Sequence, residues 1–157
     1  MAKFKNISKT KIVNSVTHEM LIPEMIDDEG RIPTLILAPA ISSNKAFQRA
    51  KLSSMSKNTK QNKRLAAGGL NQKFIDAQRE EDLPLLISHI IVGWKNFYDA
   101  ETEEEIPFSK EEVTDFLDQI DEWLIDAIRD EAANIKNFLP ESETPLDEDE
   151  RADLAKN

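Results

Sequence analysis

General acid–base catalysis most often uses histidine, and this 157-residue sequence contains two histidines. His18 stands beside an apolar run, and His89 lies inside the apolar stretch PLLISHIIVGW. His89 has no serine in a recognisable nucleophile context, and the chain contains no cysteine. We interpret His89 as a structural residue, and we predict that the protein has no catalytic residue and is not an enzyme.

The loop at residues 99–105, DAETEEE, carries carboxylates at alternate positions, as calcium-binding loops do. It lacks the mid-loop glycine and the ligand order of an EF-hand, which leaves weak adventitious Ca²⁺ binding at most. The absence of cysteine excludes thiolate zinc sites. The four glycines form no Walker or dinucleotide-binding motif. We therefore predict no metal site and no cofactor.

Charge is distributed unevenly along the chain, whose net charge is −10. Residues 1–75 contain thirteen Lys and Arg and five Asp and Glu, whereas residues 76–157 contain seven and twenty-five. This asymmetry is typical of a chain with an interaction arm, and it equally fits a basic segment that folds over its own acidic half. Because only Phe47 and Phe74 accompany the basic stretch, we predict no nucleic-acid binding.

No apolar run approaches the ~20 residues that span a bilayer, so we predict no membrane association. The basic start, MAKFKNISKTK, is not followed by the apolar core of a signal peptide. We therefore expect a soluble protein of the cell interior.

The elements that would position these residues divide the chain into five segments. Two apolar runs, at about 19–25 and 32–37, flank DDEG, in which Gly30 can take the positive φ that closes a β-hairpin. Pro23 and Pro33 cannot donate to a ladder and confine the hairpin to edge-like pairing. The predicted segments are a basic N-terminal arm (1–16), the β-hairpin segment (17–41), a flexible basic linker (42–73), a helical core domain (74–139) and a disordered acidic tail (140–157).

Helices dominate the second half of the chain. A short helix at about 44–52 is compatible with the linker sequence. We predict a helix from Phe74 to Asp82, ended at Leu83 by the proline that follows, and a second helix from Pro84 to Trp94. The core domain, 74–139, is predicted to fold independently, which makes the fold class mainly α with an N-terminal β-hairpin (α+β).

The best-defined helix start is at Lys110. Ser109 is the predicted N-cap, with Glu112 completing a capping box, and Phe108 and Val113 stand at the spacing of a hydrophobic staple. We predict a bend at 119–121, where Asp121 can cap a further helix, and an end before Pro140. The apolar stripes assign core positions to Trp94, Phe108, Val113, Phe116, Leu117, Trp123, Leu124, Ile128 and Phe138.

Aromatic side chains crowd around the acidic loop. The flanks of the loop, WKNFY and EIPF, are apolar and extended, so we predict that they dock as a short hairpin over the helices, with DAETEEE in water. Phe97 and Tyr98 are the candidate partner-binding residues, because we expect them to be exposed beside a buried Trp94.

From about residue 85 to residue 138 the sequence resembles the tail assembly chaperones of long-tailed bacteriophages. The resemblance is carried by Gly93-Trp94, an acidic turn, Ile106-Pro107-Phe108-Ser109, then Glu112-Val113 and finally Asn137-Phe138. In that family the acidic turn usually carries Asp-Gly, whereas this chain has Glu103-Glu104. The turn is therefore expected to be longer here.

The resemblance implies a non-catalytic role. Such proteins bind the tape measure protein, keep this long helical chain soluble, help to recruit tail tube subunits and leave before the virion is complete. The implied location is the cytoplasm of the infected host, and self-association stays open. A structural protein retained in the virion, such as a minor tail or head–tail connector protein, is the alternative. A small acidic adaptor unrelated to phage is a third interpretation.

Overall fold

The computed structural model describes residues 16–57 and 72–139, together with residues 3, 5, 63, 64, 67 and 68. The predicted acidic tail lies outside these residues, as do most of the basic arm and the second half of the predicted linker. Among the described residues, no helix is both long and apolar enough to cross a membrane.

A three-stranded antiparallel sheet contains the predicted hairpin. Strands β1 (His18–Leu21) and β2 (Thr34–Leu37) pair with each other, and β3 (Ile91–Lys95) pairs with the other edge of β2. Gly30 has φ 79°, which confirms the predicted turn. β1 is shorter than predicted because a 3-10 turn, Pro23–Met25, occupies the end of the first run, and β2 begins at Thr34, directly after Pro33.

The third strand replaces the end of a predicted helix, so the prediction of helix as far as Trp94 is wrong. Ile91 and Val92 are β-branched and suit a strand. Gly93 allows a close approach to the central strand, since a Cβ there would lie 3.1 Å from Cδ1 of Ile36. The pairing places Trp94 opposite Leu35, with a register irregularity between Ile36 and Leu37.

Helix α1 (Lys45–Lys57) occupies the first half of the predicted flexible linker and is longer than the short helix expected there. The Asn44 side chain accepts a hydrogen bond from the Phe47 amide at 3.2 Å and donates one to the Pro39 carbonyl at 2.9 Å. Phe47 is buried in the core. The helix is thus fixed at its start by a cap and by one large apolar side chain.

Helix α2 (Gln72–Leu85) runs through Pro84, so the predicted break at Leu83 is wrong. A wider, π-helical turn, Leu86–Ile90, follows the proline and leads directly into β3. Lys110 supports this transition, because its ammonium group donates to the carbonyls of Ile87 (2.6 Å) and Ile91 (3.2 Å). Burial lowers the pKa of Lys110.

Helices α3 (Lys110–Gln119) and α4 (Glu122–Ala133) meet at the predicted bend, and a 3-10 turn, Ile135–Phe138, ends the described chain. The start at Lys110 is confirmed, since the Ser109 hydroxyl accepts a hydrogen bond from the Glu112 amide at 3.1 Å. Asp121 occupies the N-cap position of α4, although its side chain makes no capping hydrogen bond.

One hydrophobic core connects the sheet to the helices. From the predicted hairpin segment and linker it includes Met20, Ile22, Leu35, Leu37 and Phe47, and from the predicted core domain Leu86, Ile90, Ile91, Phe97, Val113, Phe116, Leu117, Leu124, Ile128 and Phe138. The core therefore crosses the predicted domain boundary at residue 74. Trp123 is 54% exposed, so its predicted core position is wrong, because it lies on the outer side of α4.

Candidate partner-binding groove

The segment between β3 and α3 forms a short hairpin, as predicted. The Ile106 amide donates to the Phe97 carbonyl at 2.7 Å, and the Asp99 amide donates to the Glu104 carbonyl at 2.9 Å. Between these two bonds, Tyr98 and Glu105 form an antiparallel β-bridge. The loop 99–105 forms the tip of this hairpin.

The tip is ordered by one carboxylate. Oδ1 of Asp99 accepts hydrogen bonds from the amides of Glu101 and Thr102, both at 2.8 Å. These bonds favour the charged form and lower the pKa of Asp99. Glu103 has φ 60°, a left-handed backbone conformation that closes the turn. The loop thus presents its remaining carboxylates from a defined backbone.

Four aromatic rings meet beneath the hairpin. Trp94 stacks on Phe97 with centroids 4.3 Å apart, and Phe116 packs edge-on against Phe97 at 5.1 Å. Phe108 meets Trp94 edge-on at 5.6 Å. The Trp94 indole also donates to the Ile106 carbonyl at 2.9 Å, which fixes the hairpin to the strand.

The two candidate partner-binding residues point in different directions. Phe97 is only 5% exposed, so its predicted exposure is wrong: the ring is held between Trp94 and Phe116. Tyr98 is half-buried, and the Arg31 guanidinium lies 3.5 Å from its ring centroid. Neighbouring residues of an extended chain point to opposite sides, which explains why only one ring enters the core.

A groove of about 630 Å³ opens beside this aromatic cluster. Its walls come from the hairpin, from α3 and from the turn after β1. The apolar part comprises Met25, Trp94, Phe97, Tyr98, Ala100, Ile106, Phe116 and Ile120. The polar part comprises Asp99, Glu101, Glu112, Asp115 and Gln119. Among the described lining residues there is no lysine or arginine, so the groove combines an aromatic floor with an acidic rim.

A second cleft, of about 350 Å³, adjoins the groove and shares Tyr98, Asp99 and Ala100 with it. Its other lining residues are Asp27, Asp28, Glu29, Arg31 and Glu103. The single cation is already engaged, because Arg31 pairs with Asp27 at 2.6 Å and with Glu29 at 3.3 Å. Hydrogen bonding, chiefly from the Arg31 amide, lowers the pKa of Asp27. The negative field of the groove therefore continues across this cleft.

The remaining titratable groups lie elsewhere. His18 contacts Glu131 at 2.7 Å and packs edge-on against Phe138, while His89 lies in the wide turn before β3. A small cavity of about 150 Å³ between α1, α2 and α4 is bordered by Asp82, whose pKa is raised by burial. Within residues 16–57 and 72–139 no group of three or more His, Asp or Glu side chains is arranged to hold a metal ion.

Sequence patterns did not predict two features of the groove and the cleft beside it. The positions of Met25 in the groove and of Arg31 in the adjoining cleft depend on the turn between β1 and β2, which no local pattern connects to residue 98. The inward turn of Phe97 depends on β3, which was expected to be helix. Period-two alternation through WKNFY would place Trp94 and Phe97 on opposite faces, and the left-handed Asn96 (φ 61°) breaks this alternation, so no local pattern predicted the inward ring.

Fold and groove together define a small α+β protein whose most distinctive surface is an apolar groove with an acidic rim. Residues 42–148, more than half of the chain, match the family described as YdaY prophage protein, and the chain belongs to this family. No curated protein matches the chain, and no solved structure matches it. The family match confirms a phage origin, while the role in tail assembly stays a prediction.

Proposed function

We propose that this prophage protein is a non-catalytic tail assembly chaperone, which binds helical segments of the tape measure protein and keeps that protein soluble. The observation that carries the proposal is the groove, about 630 Å³ in volume, with aromatic side chains on its floor and carboxylates on its rim. A surface of this kind is what an amphipathic helix needs in order to bury its apolar stripe.

Apolar side chains line the groove both at its walls and at its floor. Met25 is 37% exposed at one wall, and Tyr98, Ile106 and Ile120 are half-buried, so a partner can reach them without unfolding the domain. Phe97 and Phe116 lie deeper, where they are buried and pack edge-on against each other to form the floor. Because the rings of the floor are already packed in the free protein, few side chains lose conformational entropy when a partner binds. This favours docking of a preformed helix.

The charge of the chain fits the same role. A net charge of −10 disperses the complexes that an aggregation-prone helical chain would otherwise form. In this proposal the protein acts in the cytoplasm of the infected host, helps to recruit tail tube subunits and leaves before the virion is complete. The phage origin of the family supports the setting.

Co-expression with the tape measure protein of the same prophage tests the proposal. We expect the wild-type chain to move the tape measure protein from the insoluble to the soluble fraction. Met25→Lys places a cation in the groove and should abolish this effect. Leu52→Lys is the matched control, since Leu52 is 65% exposed on α1 and does not line the groove.

Two results would count against the proposal. One is an equally soluble tape measure protein when the chain is absent or carries Met25→Lys. The other is the presence of the protein in purified virions at fixed copy number, as expected for a minor tail or head–tail connector protein.

A further inference from the structure

We infer that the groove selects basic amphipathic helices, in which lysine or arginine flanks the apolar stripe on both sides. The inference deepens the proposed function and rests on it, because it defines the chemical class of segment that the groove accepts. It concerns the rim rather than the aromatic floor.

The rim carboxylates come from two different elements. Glu112 and Asp115 lie three residues apart on α3, and Asp99 and Glu101 belong to the hairpin tip. A helix lying on the floor would therefore have carboxylates from α3 and carboxylates from the hairpin within reach. Cations on both borders of its apolar stripe would match this arrangement.

The rim carboxylates have no cationic partner within the described part of the chain. The ion pairs there are His18–Glu131, Arg31–Asp27, Arg31–Glu29, Arg79–Asp126, Lys95–Glu19 and Arg129–Asp126, none of which includes a rim residue. Carboxylates around an apolar surface repel one another, and a bound cation reduces this repulsion. Charge complementarity thus identifies the occupant as basic.

The adjoining cleft extends the same field. Asp28 and Glu103 add carboxylates on the far side of Tyr98, whereas Arg31 is engaged by Asp27, Glu29 and the Tyr98 ring. An acidic helix would meet repulsion along the whole surface, and a neutral amphipathic helix would gain only the apolar contacts. A basic helix gains both contributions.

Three synthetic peptides of about 18 residues, or five helical turns, are the test ligands for the full-length protein. All share one leucine stripe, and their polar faces are filled with lysine, glutamine or glutamate. By fluorescence polarisation at low salt we expect the lysine peptide to bind most tightly and the glutamate peptide to show no binding. Raising the ionic strength to about 0.3 M should weaken the lysine peptide selectively, since salt screens exposed charges.

Two double variants separate the groove from net charge. Glu101→Lys/Asp115→Lys reverses one carboxylate of the hairpin tip and one of α3. Glu104→Lys/Asp118→Lys changes the same two elements and the same total charge, but neither residue lines the groove. We expect the groove variant to bind the lysine peptide about tenfold more weakly, because each reversal turns a weak attraction into a weak repulsion. The control should lose less than about twofold.

The outcomes distinguish the inference from the proposed function. Equal binding of the lysine and glutamine peptides, or equal losses in the two double variants, overturns the inference. So does a dimer in sedimentation that Glu101→Lys/Asp115→Lys dissociates while no peptide binds, since the groove is then a self-interface. If the lysine peptide binds through the groove but the tape measure protein is not solubilised, the inference holds and the proposed function fails.

Discussion

The two tryptophans of the chain offer a sharp test of the structure, because sequence patterns place both in the core and the structure separates them. Trp94 lies in β3, stacked on Phe97 and hydrogen-bonded to the Ile106 carbonyl. Trp123 is 54% exposed on the first turn of α4. Replacing each with alanine should therefore have very different effects on the free energy of unfolding.

The expected cost of Trp94→Ala is about 3 kcal/mol. Truncating a buried aromatic residue costs about 3–5 kcal/mol, and the lower end applies because Trp94 is only partly buried. The lost hydrogen bond to the Ile106 carbonyl accounts for about 1 kcal/mol. The ring contacts with Phe97 and Phe108 account for about 0.5–1.5 kcal/mol each beyond their buried area. Trp123→Ala should cost less than about 1 kcal/mol, as surface changes do.

Urea denaturation of the two variants, followed by circular dichroism, measures the difference in the free energy of unfolding, and thermal denaturation measures the change in Tm. At ~3 °C per kcal/mol for a chain of this size, Trp94→Ala should lower the Tm by about 10 °C, and Trp123→Ala should leave it nearly unchanged. Trp94→Phe retains a ring but removes the indole donor, so it should fall between them. Equal destabilisation by Trp94→Ala and Trp123→Ala would refute the assignment of β3 and of the aromatic floor.

Three further predictions concern the groove, the small cavity and the domain boundary. Tyr98→Ala should reduce solubilisation of the tape measure protein with little change in Tm, whereas Phe97→Ala should lower the Tm by about 10 °C because that ring is buried; the reverse pattern would contradict the orientation of the hairpin. Burial raises the pKa of Asp82, so the folded state disfavours its charged form. Asp82→Asn should then raise the Tm at pH 7, with a gain that vanishes as the pH falls below the unfolded-state pKa near ~3.9, while Glu80→Gln on the same helix should show no such gain. A fragment of residues 74–139 lacks β2, the strand that pairs with β3, and should melt without a cooperative transition; cooperative melting at the Tm of the full chain would contradict the shared core.

Features set by local sequence were predictable. The start of α3 followed from the cap at Ser109, because one hydroxyl and one amide three residues apart decide it. The turn at Gly30 followed from the need for positive φ. The bend between α3 and α4 followed from Asp121, which suits the N-cap position that it occupies. In each of these cases a few neighbouring residues determine the local structure.

Features set by distant contacts were not predictable from local patterns. The stretch from Ile90 to Lys95 is apolar at spacings that fit a helix or a strand, and pairing with β2, more than fifty residues earlier, decides between them. Helix α1 lies in a polar sequence, where the burial of Phe47 against distant residues outweighs the composition. Trp123 has a helical spacing relative to the core, but it lies on the exposed side of α4.

The change from helix to strand at Ile91 is also what produces the groove. As a strand, the segment places Trp94 on the inner face of the sheet beside Leu35, and the chain bends directly after β3 at Asn96, which has φ 61°. Beyond this bend Phe97 faces the core and Tyr98 stays half-buried, so one ring builds the floor and the next ring remains accessible. Had the helix continued through Trp94, the segment could not have paired with β2, and Trp94 would not lie opposite Leu35. Under the proposed function, stability depends on residue 97 and binding on residue 98, so single substitutions at these two positions should separate the two properties.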